Sequence, residues 1–150
     1  MGELKRIRVR KATTRDIGLF RKLWASLLEQ NAKDGSVVLP TDQSIRLYES
    51  LFNMYVEQST EGVVFLVADR GIAMVAKDTS GLEYRDKTAV LWGLHSSGDD
   101  RIQQALLDSV EEWVLANDMA GLVMQSGPKT EPLEGFEPAG TIRYRTLTGG

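Results

Sequence analysis

The stretch that decides the fold is Thr88-Ala-Val-Leu-Trp-Gly-Leu-His95, followed by Ser96-Ser-Gly-Asp-Asp-Arg101 and by a helical pattern that ends near Asn117. The first part is a nearly continuous apolar run, which is typical of a buried strand. A strand, a short loop and the free N–H groups of a helix start are the usual arrangement for binding a phosphate. The residues after Asp100 predict an amphipathic helix, and its inward positions are Ile102, Leu106, Val110, Trp113 and Val114.

Two carboxylates lie at the start of this helix, where a phosphate would bind. Asp99 and Asp100 are both good N-cap residues, so one of them is expected to accept the N–H groups that a phosphate needs. Their charge opposes a second anion, and Arg101 offsets only part of it. We therefore predict an anion-binding scaffold whose anion site is filled by the chain's own side chains.

The composition limits the class of protein. With 150 residues and 42% hydrophobic content, a single domain over residues 1–150 is expected. A net charge of −3 argues against nucleic-acid binding, and the basic residues near the start alternate with apolar ones, as on one face of a strand. The absence of cysteine and the single histidine argue against a metal site and a Ser-His triad. No run indicates a signal peptide or a membrane span, so we expect a cytoplasmic protein without membrane contact.

The rest of the chain predicts alternating helices and strands. In chain order they are a strand over 4–11, a helix from the Thr13–Asp16 capping box to near Asn31, a helix from about Thr41 to Gln58, a hairpin of Val63–Ala68 and Ile72–Lys77, the strand ending at His95, the helix after Asp100, a strand over 121–125, at most one helical turn in 127–132 and a strand over 141–147. This order predicts an α/β fold, in which a mixed central sheet has helices on both faces.

Aromatic residues fall at core positions of these elements. Trp24, Trp92 and Trp113 lie on the inward side of helices or strands and are expected in the core rather than in a ligand site. Tyr48 and Tyr55 lie at helical spacing with Phe52, which favours the core, although they could also line a pocket.

Three segments resemble the GNAT-type N-acyltransferases, which transfer acyl groups from acyl-CoA to amines. Ile7-Arg-Val-Arg-Lys-Ala-Thr-Thr-Arg-Asp16 looks like the first strand and capped helix of that family, and Val64-Phe-Leu-Val-Ala-Asp-Arg-Gly71 resembles its second strand and turn. Leu133-Glu-Gly-Phe-Glu-Pro-Ala-Gly140, with Arg143-Tyr-Arg145, is similar to its Leu-Gly-Phe segment and last strand. The resemblance implies a GNAT-like sheet over the whole chain.

The loop after the fourth strand departs from the family pattern, which reads Arg/Gln-x-x-Gly-x-Gly/Ala and binds the CoA pyrophosphate through backbone N–H groups. When the family's following Ala-Leu-Leu is aligned with Ala105-Leu106-Leu107, Gly98 takes the place of the arginine. Arg101 and Gln103 then take the two small-residue positions, where a side chain crowds the approach of a diphosphate. The loop is therefore expected to oppose coenzyme binding.

The usual catalytic tyrosine of the family is also missing between Gln125 and Phe136. The remaining candidates for catalysis are His95, which could act as a general base at the end of the fourth strand, and Tyr144; each has an ordinary structural explanation as well. Glu83 lies before the fourth strand and not on it. If CoA binds, the candidate contacts are Leu94, Ser96, Ser97, Gly98 and Arg101.

Two functions follow from the resemblance and its departures. The first is a GNAT-fold protein that has lost acyl-CoA catalysis, needs no cofactor and acts as a binding or assembly module with a protein partner. Small divergent GNAT-like proteins are encoded by tailed phages, some among virion genes, and this chain is similar to them in size, which would place it in a virion. The alternative is an acetyl-CoA-dependent N-acetyltransferase with an atypical pyrophosphate loop.

Overall fold

The computed structural model describes residues 7–35, 39–58, 62–77 and 87–124, together with Phe136 and Arg145. Its elements, in chain order, are β1 (Arg10–Lys11), a 3-10 turn (Thr14–Asp16), α1 (Ile17–Lys33), α2 (Asp42–Glu57), β2 (Val63–Ala68), β3 (Gly71–Lys77), β4 (Thr88–Ser96), α3 (Asp100–Ala116) and β5 (Gly121–Met124). The order of elements predicted up to residue 124 is confirmed. The predicted helical turn in 127–132 and the strand over 141–147 lie outside the described residues.

The described strands form one mixed sheet in the order β1-β2-β3-β4-β5. Neighbouring strands are antiparallel except β4 and β5, which are parallel, with Thr88 opposite Gly121 and Leu91 opposite Met124. Helix α3 is the crossover between these two strands. The parallel pair therefore brings the end of β4, the loop after it and the start of α3 to one edge of the sheet.

Helices cover both faces of this sheet, as the sequence predicts. One face packs on α3, through Val64, Leu66, Ala68, Ala73, Val75, Ala89, Leu91, Ile102, Leu106, Val110 and Val114. The other packs on α1 and α2, through Phe20, Leu23, Trp24, Leu28, Phe52, Phe65, Val67, Ile72 and Met74. The second cluster holds stacked rings, with the centroids of Phe20 and Phe52 4.6 Å apart. The buried cluster on the α3 face is aliphatic by comparison, and it includes Ala89 and Leu91 of β4.

The capping box at the start of α1 is confirmed and joins that helix to the sheet. The Asp16 carboxylate accepts a hydrogen bond from the backbone N–H of Thr13 at 2.7 Å. It also forms a two-pronged ion pair with Arg10 of β1, both N–O distances being 2.8 Å. This guanidinium holds the pKa of the buried Asp16 carboxyl below its ordinary value. The cap therefore also fixes β1 against the helix.

Two boundaries differ from the predictions by two residues or more. The first strand is shorter, since residues 7–9 are not in a strand and residues 1–6 lie outside the described part. The reason is register: Arg10 lies opposite Val67, so Val9 would reach Ala68, the last residue of β2, and earlier residues would pass the hairpin turn. Helix α1 runs to Lys33 rather than Asn31, because the first residue that disfavours its continuation is Gly35, which has φ +98°.

Trp92 corrects the prediction that all three tryptophans lie in the core. Trp24 is buried and Trp113 packs partly buried against the α3 face, but the Trp92 residue is 41% exposed. Tyr48 and Tyr55 are partly buried against the α1/α2 cluster, as their helical spacing indicates. The alternation of side chains along a strand places Trp92 inward only if β4 is regular. β4 contains an irregularity opposite Met74 and Val75.

Candidate functional site: the end of β4 and the start of α3

A β-bulge divides β4 into two halves. Leu91 lies opposite Val75 and Gly93 lies opposite Met74, so Trp92 is the extra residue. Leu91 and Leu94 both pack on the α3 side, although residues three apart in a regular strand point to opposite faces. The pairing with β5 is described up to Leu91 opposite Met124, and the residues that directly follow Met124 are outside the described part. Among the described residues, Trp92–Ser96 therefore has a neighbouring strand on one side only.

Some backbone groups of this segment face away from β3, and the ladder pattern shows which ones. The N–H of Ser97 donates to the carbonyl of Arg70 at 2.9 Å, which marks a hydrogen-bonded pair of the β3–β4 ladder. Pairs alternate along an antiparallel ladder, so the backbone groups of His95 point to β3 while those of Leu94 and Ser96 point away from it. The Ser96 carbonyl is bonded to the N–H of Gly98 at 3.1 Å. The outward groups left are the N–H and C=O of Leu94 and the N–H of Ser96.

The bulge also places two successive residues on the α1/α2 face. The Trp92 ring meets Tyr55 edge-on with a centroid distance of 6.1 Å. At Gly93 an added Cβ would lie 2.6 Å from the Trp24 ring and 2.9 Å from Leu27. Only glycine fits there, because the indole of Trp24 fills the space over the strand. The exposed ring of Trp92 thus directly follows Leu91, the last residue of β4 that pairs with the described part of β5.

His95 faces α1 and contacts one polar partner. Its Nε2 lies 3.0 Å from the Ser26 Oγ. Burial lowers the pKa of the imidazole below its ordinary value, since removal of water disfavours the charged form. A neutral imidazole can accept a proton, but His95 points to the helix-covered face rather than to the free side of β4. Sequence reasoning missed Ser26, because nothing in the spacing of residues 26 and 95 indicates contact.

The sequence offers Asp99 and Asp100 as N-cap candidates for α3, and the structure shows that Asp99 is the N-cap. Its Oδ1 accepts the Arg101 N–H at 2.9 Å, and its Oδ2 pairs with the Arg101 guanidinium at 3.2 Å. These two donors, first the guanidinium and then the N–H, hold the pKa of the Asp99 carboxyl below its ordinary value. The carboxylate is therefore charged at neutral pH and occupies the helix start in the way a bound anion would.

The other N–H groups of this loop are mostly engaged as well. Those of Ser97 and Gly98 bond to carbonyls, and those of Ile102 and Gln103 bond to the Asp99 carbonyl at 3.2 and 3.3 Å. The Ser96 hydroxyl donates to the same carbonyl at 3.1 Å. Gly98 has φ +73°, so the turn itself requires a residue that tolerates the left-handed region. Among residues 87–124, the N–H groups of Asp99 and Asp100 have no recorded protein acceptor.

The structure thus brings most of the predicted site residues together. Leu94, Ser96, Ser97, Gly98 and Arg101 lie along the end of β4 and the start of α3. His95 lies in the same segment but faces α1, and Tyr144 lies outside the described residues. In the parts of the chain that are described, no three histidine, aspartate or glutamate side chains are grouped to hold a metal ion. None of the described helices has the length and apolarity needed to cross a bilayer.

This architecture is similar to solved acetyltransferase structures. The aminoglycoside N-acetyltransferase AAC(6')-Iy, in complex with the bisubstrate analogue CoA-S-monomethyl-acetylneamine, aligns with a TM-score of 0.63 and 15% identity over 95% of this chain and 99% of that one. The chain has a GNAT-type fold. The PaiA N-acetyltransferase from Thermoplasma acidophilum, in complex with coenzyme A, aligns with a TM-score of 0.53 and 15% identity over 76% and 75% of the two chains.

A mutant of the BH1408 protein from Bacillus halodurans aligns with a TM-score of 0.64 and 15% identity over 79% of this chain and 81% of that chain. Neither a protein-family model nor a curated protein matches the sequence. At such low identity the likeness establishes the fold alone. Whether this chain keeps the chemistry of its structural neighbours depends on its own residues.

The residues of this GNAT-fold site fit one part of a CoA molecule and not another. The outward backbone of Leu94 and Ser96 offers donors and an acceptor to an amide-bearing chain such as the pantetheine arm. The diphosphate, in contrast, would meet the Asp99 carboxylate, which already accepts the Arg101 N–H. Asp100 adds a second, exposed carboxylate one residue on. The helix start therefore does not fit a diphosphate.

Proposed function

We propose that this GNAT-fold protein has lost acyl-CoA catalysis and serves as a binding module for a protein partner. The observation behind the proposal is the Asp99 cap: its carboxylate accepts the Arg101 N–H at 2.9 Å and pairs with the same residue's guanidinium. An arginine that could neutralise a diphosphate is thereby bound to an internal anion. The absence of a tyrosine between Gln125 and Phe136 supports the same conclusion, since the family's usual proton donor is missing from that segment.

Titration of acetyl-CoA by calorimetry at low salt tests this proposal. We expect no binding heat for the wild-type protein up to millimolar ligand. Asp99→Gly should create binding at least about tenfold tighter than the wild type, because it removes a charge and frees the Arg101 N–H and guanidinium while glycine is tolerated as an N-cap. Micromolar binding to the wild type would contradict the proposal.

Two matched variants separate charge from capping. Asp99→Asn removes the negative charge but keeps a side-chain oxygen that can cap the helix. Asp100→Asn removes the same charge from an exposed neighbour that does not cap. If the capped N–H of Arg101 is the main obstacle, only Asp99→Gly should restore acetyl-CoA binding. If all three variants gain the same affinity, the obstacle is net charge alone.

One observation favours the alternative function, acetyl-CoA-dependent N-acetyl transfer. The backbone groups of Leu94 and Ser96 face away from β3, and two of the neighbours named above were solved with coenzyme A or a CoA-based analogue. In that case Leu94, Ser96, Ser97, Gly98 and Arg101 would contact the coenzyme, with His95 or Tyr144 as candidates for proton transfer. Binding of acetyl-CoA to the wild type, followed by acetylation of an amine, would establish it.

The proposed partner and location follow from the leading function. A module without coenzyme acts by contact, so it belongs in an assembly, for example a phage virion or a cytoplasmic complex. Isolation of the native assembly followed by mass spectrometry would test this. Recovery of the chain only as a free protein would contradict it.

A further inference from the structure

The contact between His95 and Ser26 joins a base to a hydroxyl group at the surface of the protein. The distance of 3.0 Å between Nε2 and Oγ is within the range that separates a nucleophile from its general base. Ser26 is exposed and His95 is partly buried, so a small molecule can reach the hydroxyl from solvent while the imidazole stays covered. The binding function proposed above uses neither residue.

The hydroxyl of Ser26 does not make the bond that a serine within a helix often makes. Such a serine can donate to the carbonyl four residues earlier, as Ser50 of α2 does to the Arg46 carbonyl at 3.0 Å. Among the described residues, the recorded contact of the Ser26 side chain is the one with His95. The Ser26 hydroxyl therefore has its proton available for Nε2, which is an acceptor in one tautomer of a neutral imidazole.

Close packing of α1 on β4 holds this pair together. Gly93 lies two residues before His95, and Trp24 lies two residues before Ser26. The Trp24 ring occupies the space that a Cβ at position 93 would need, at a separation of 2.6 Å. The helix lies directly against the strand because position 93 has no side chain, and the same close approach brings Ser26 within hydrogen-bond distance of His95.

The surroundings of the pair favour a neutral base and an uncharged substrate. Burial lowers the pKa of His95, so its imidazole is uncharged at neutral pH and can accept a proton. Lys22 lies one helical turn before Ser26 and Glu29 lies three residues after it, and both are exposed, so their charges offset each other beside the hydroxyl. In the described part of the chain no carboxylate contacts His95, so the pair is a dyad and not a triad.

We propose that Ser26 is a nucleophile that accepts the acyl group of a small uncharged carboxylic ester, with His95 as its general base. First, Ser26 Oγ passes its proton to His95 Nε2 and bonds to the ester carbonyl carbon, and the alcohol leaves with that proton. Water then passes a proton to Nε2 and bonds to the acyl carbon, which releases the carboxylic acid and returns the proton to Oγ. The site needs no coenzyme, so this inference goes beyond the proposed binding function and does not depend on it.

A fluorophosphonate with a reporter group tests the nucleophile on the intact protein, because a base-activated serine displaces its fluoride and keeps the label. We expect peptide mass spectrometry to locate the label on Ser26. Ser26→Ala should lose the label, and His95→Gln should slow the labelling about 100-fold, since a glutamine side chain cannot act as a general base.

Ser50→Ala is the matched control. It removes an exposed serine hydroxyl from the neighbouring helix, one that donates to a backbone carbonyl and not to a base, so the labelling rate should equal that of the wild type. Release of nitrophenolate from p-nitrophenyl acetate measures turnover of the ester. The wild type should release it faster than Ser26→Ala does, because His95 alone lacks the serine that carries the acyl group.

Location of the label on the wild type does not depend on the fold of any variant. Label absent from Ser26, or spread over other exposed serines such as Ser50 and Ser97, would overturn the inference. So would equal labelling rates for the wild type and His95→Gln, or full ester turnover by Ser26→Ala. None of these measurements contains coenzyme, so the acetyl-CoA titration tests the proposed function separately.

Discussion

The two halves of β4 belong to one strand but differ in strand pairing and in burial. Thr88–Leu91 pairs with β3 on one side and with β5 on the other, and Ala89 and Leu91 are buried. In the second half, Gly93–Ser96 pairs with β3 alone among the described strands, and none of the residues from Trp92 to Ser96 is buried. This half leads directly to the capped start of α3. The bulge at Trp92 marks the change. The first half contributes Ala89 and Leu91 to the core, and the second half is partly buried or exposed.

Neighbouring elements hold the second half of β4 in place. Leu94 packs on the α3-side cluster, α1 packs over Gly93, and β3 pairs with Gly93–Ser96. Removal of buried apolar volume from the first half should therefore cost the most stability, and the second half should be sensitive to volume added at Gly93.

The largest effect should come from Leu91→Ala. The Leu91 residue is 2% exposed within the α3-side cluster, so truncation leaves a cavity and should lower the free energy of unfolding by about 2–5 kcal/mol. Leu94→Ala is the matched control: it packs on the same face but only partly buried, and it should cost clearly less. Urea denaturation of both variants measures the difference. If both variants lose the same free energy of unfolding, the two halves of β4 do not differ in how much burial stabilises them.

An intermediate effect is expected for Gly93→Ala at the bulge. The added Cβ would lie 2.6 Å from the Trp24 ring, so the indole must move, at a cost of about 1–3 kcal/mol. Gly93→Ala in a Trp24→Phe background tests the mechanism, since the smaller ring leaves room for the methyl group. If the double variant loses as much stability as the sum of the single ones, the clash with the indole is not the cause.

The smallest effect should be the pH dependence contributed by His95. Its pKa is lowered by burial in the folded protein, so the unfolded chain binds the proton more readily. Stability should therefore be constant above the ordinary histidine pKa near 6.5 and fall as the pH drops below it. His95 is the single histidine, so His95→Gln should remove the slope that begins as the pH falls below 6.5, as measured by thermal unfolding. If the variant keeps the same dependence of stability on pH, groups other than His95 cause it.

The sequence predicted the local features of this site better than its geometry. N-capping by an aspartate follows from residue type and position, because the cap uses only groups within three residues of each other. The sequence left Asp99 and Asp100 equivalent, and the fold selected Asp99. Trp92 was placed in the core because a regular alternation was assumed, and a bulge has no clear signature in a single sequence. The contact of His95 with Ser26 joins residues 69 apart, which no local pattern encodes.

The sequence by itself determined the order of helices and strands up to residue 124, the two-faced apolar pattern and the acidic start of α3, because these depend on interactions between residues close in the chain. Tertiary structure alone decided the bulge at Trp92, which backbone groups of β4 face away from β3 and why Gly93 must lack a side chain. Those features depend on register and on the volume of Trp24, quantities that arise only when distant segments pack together.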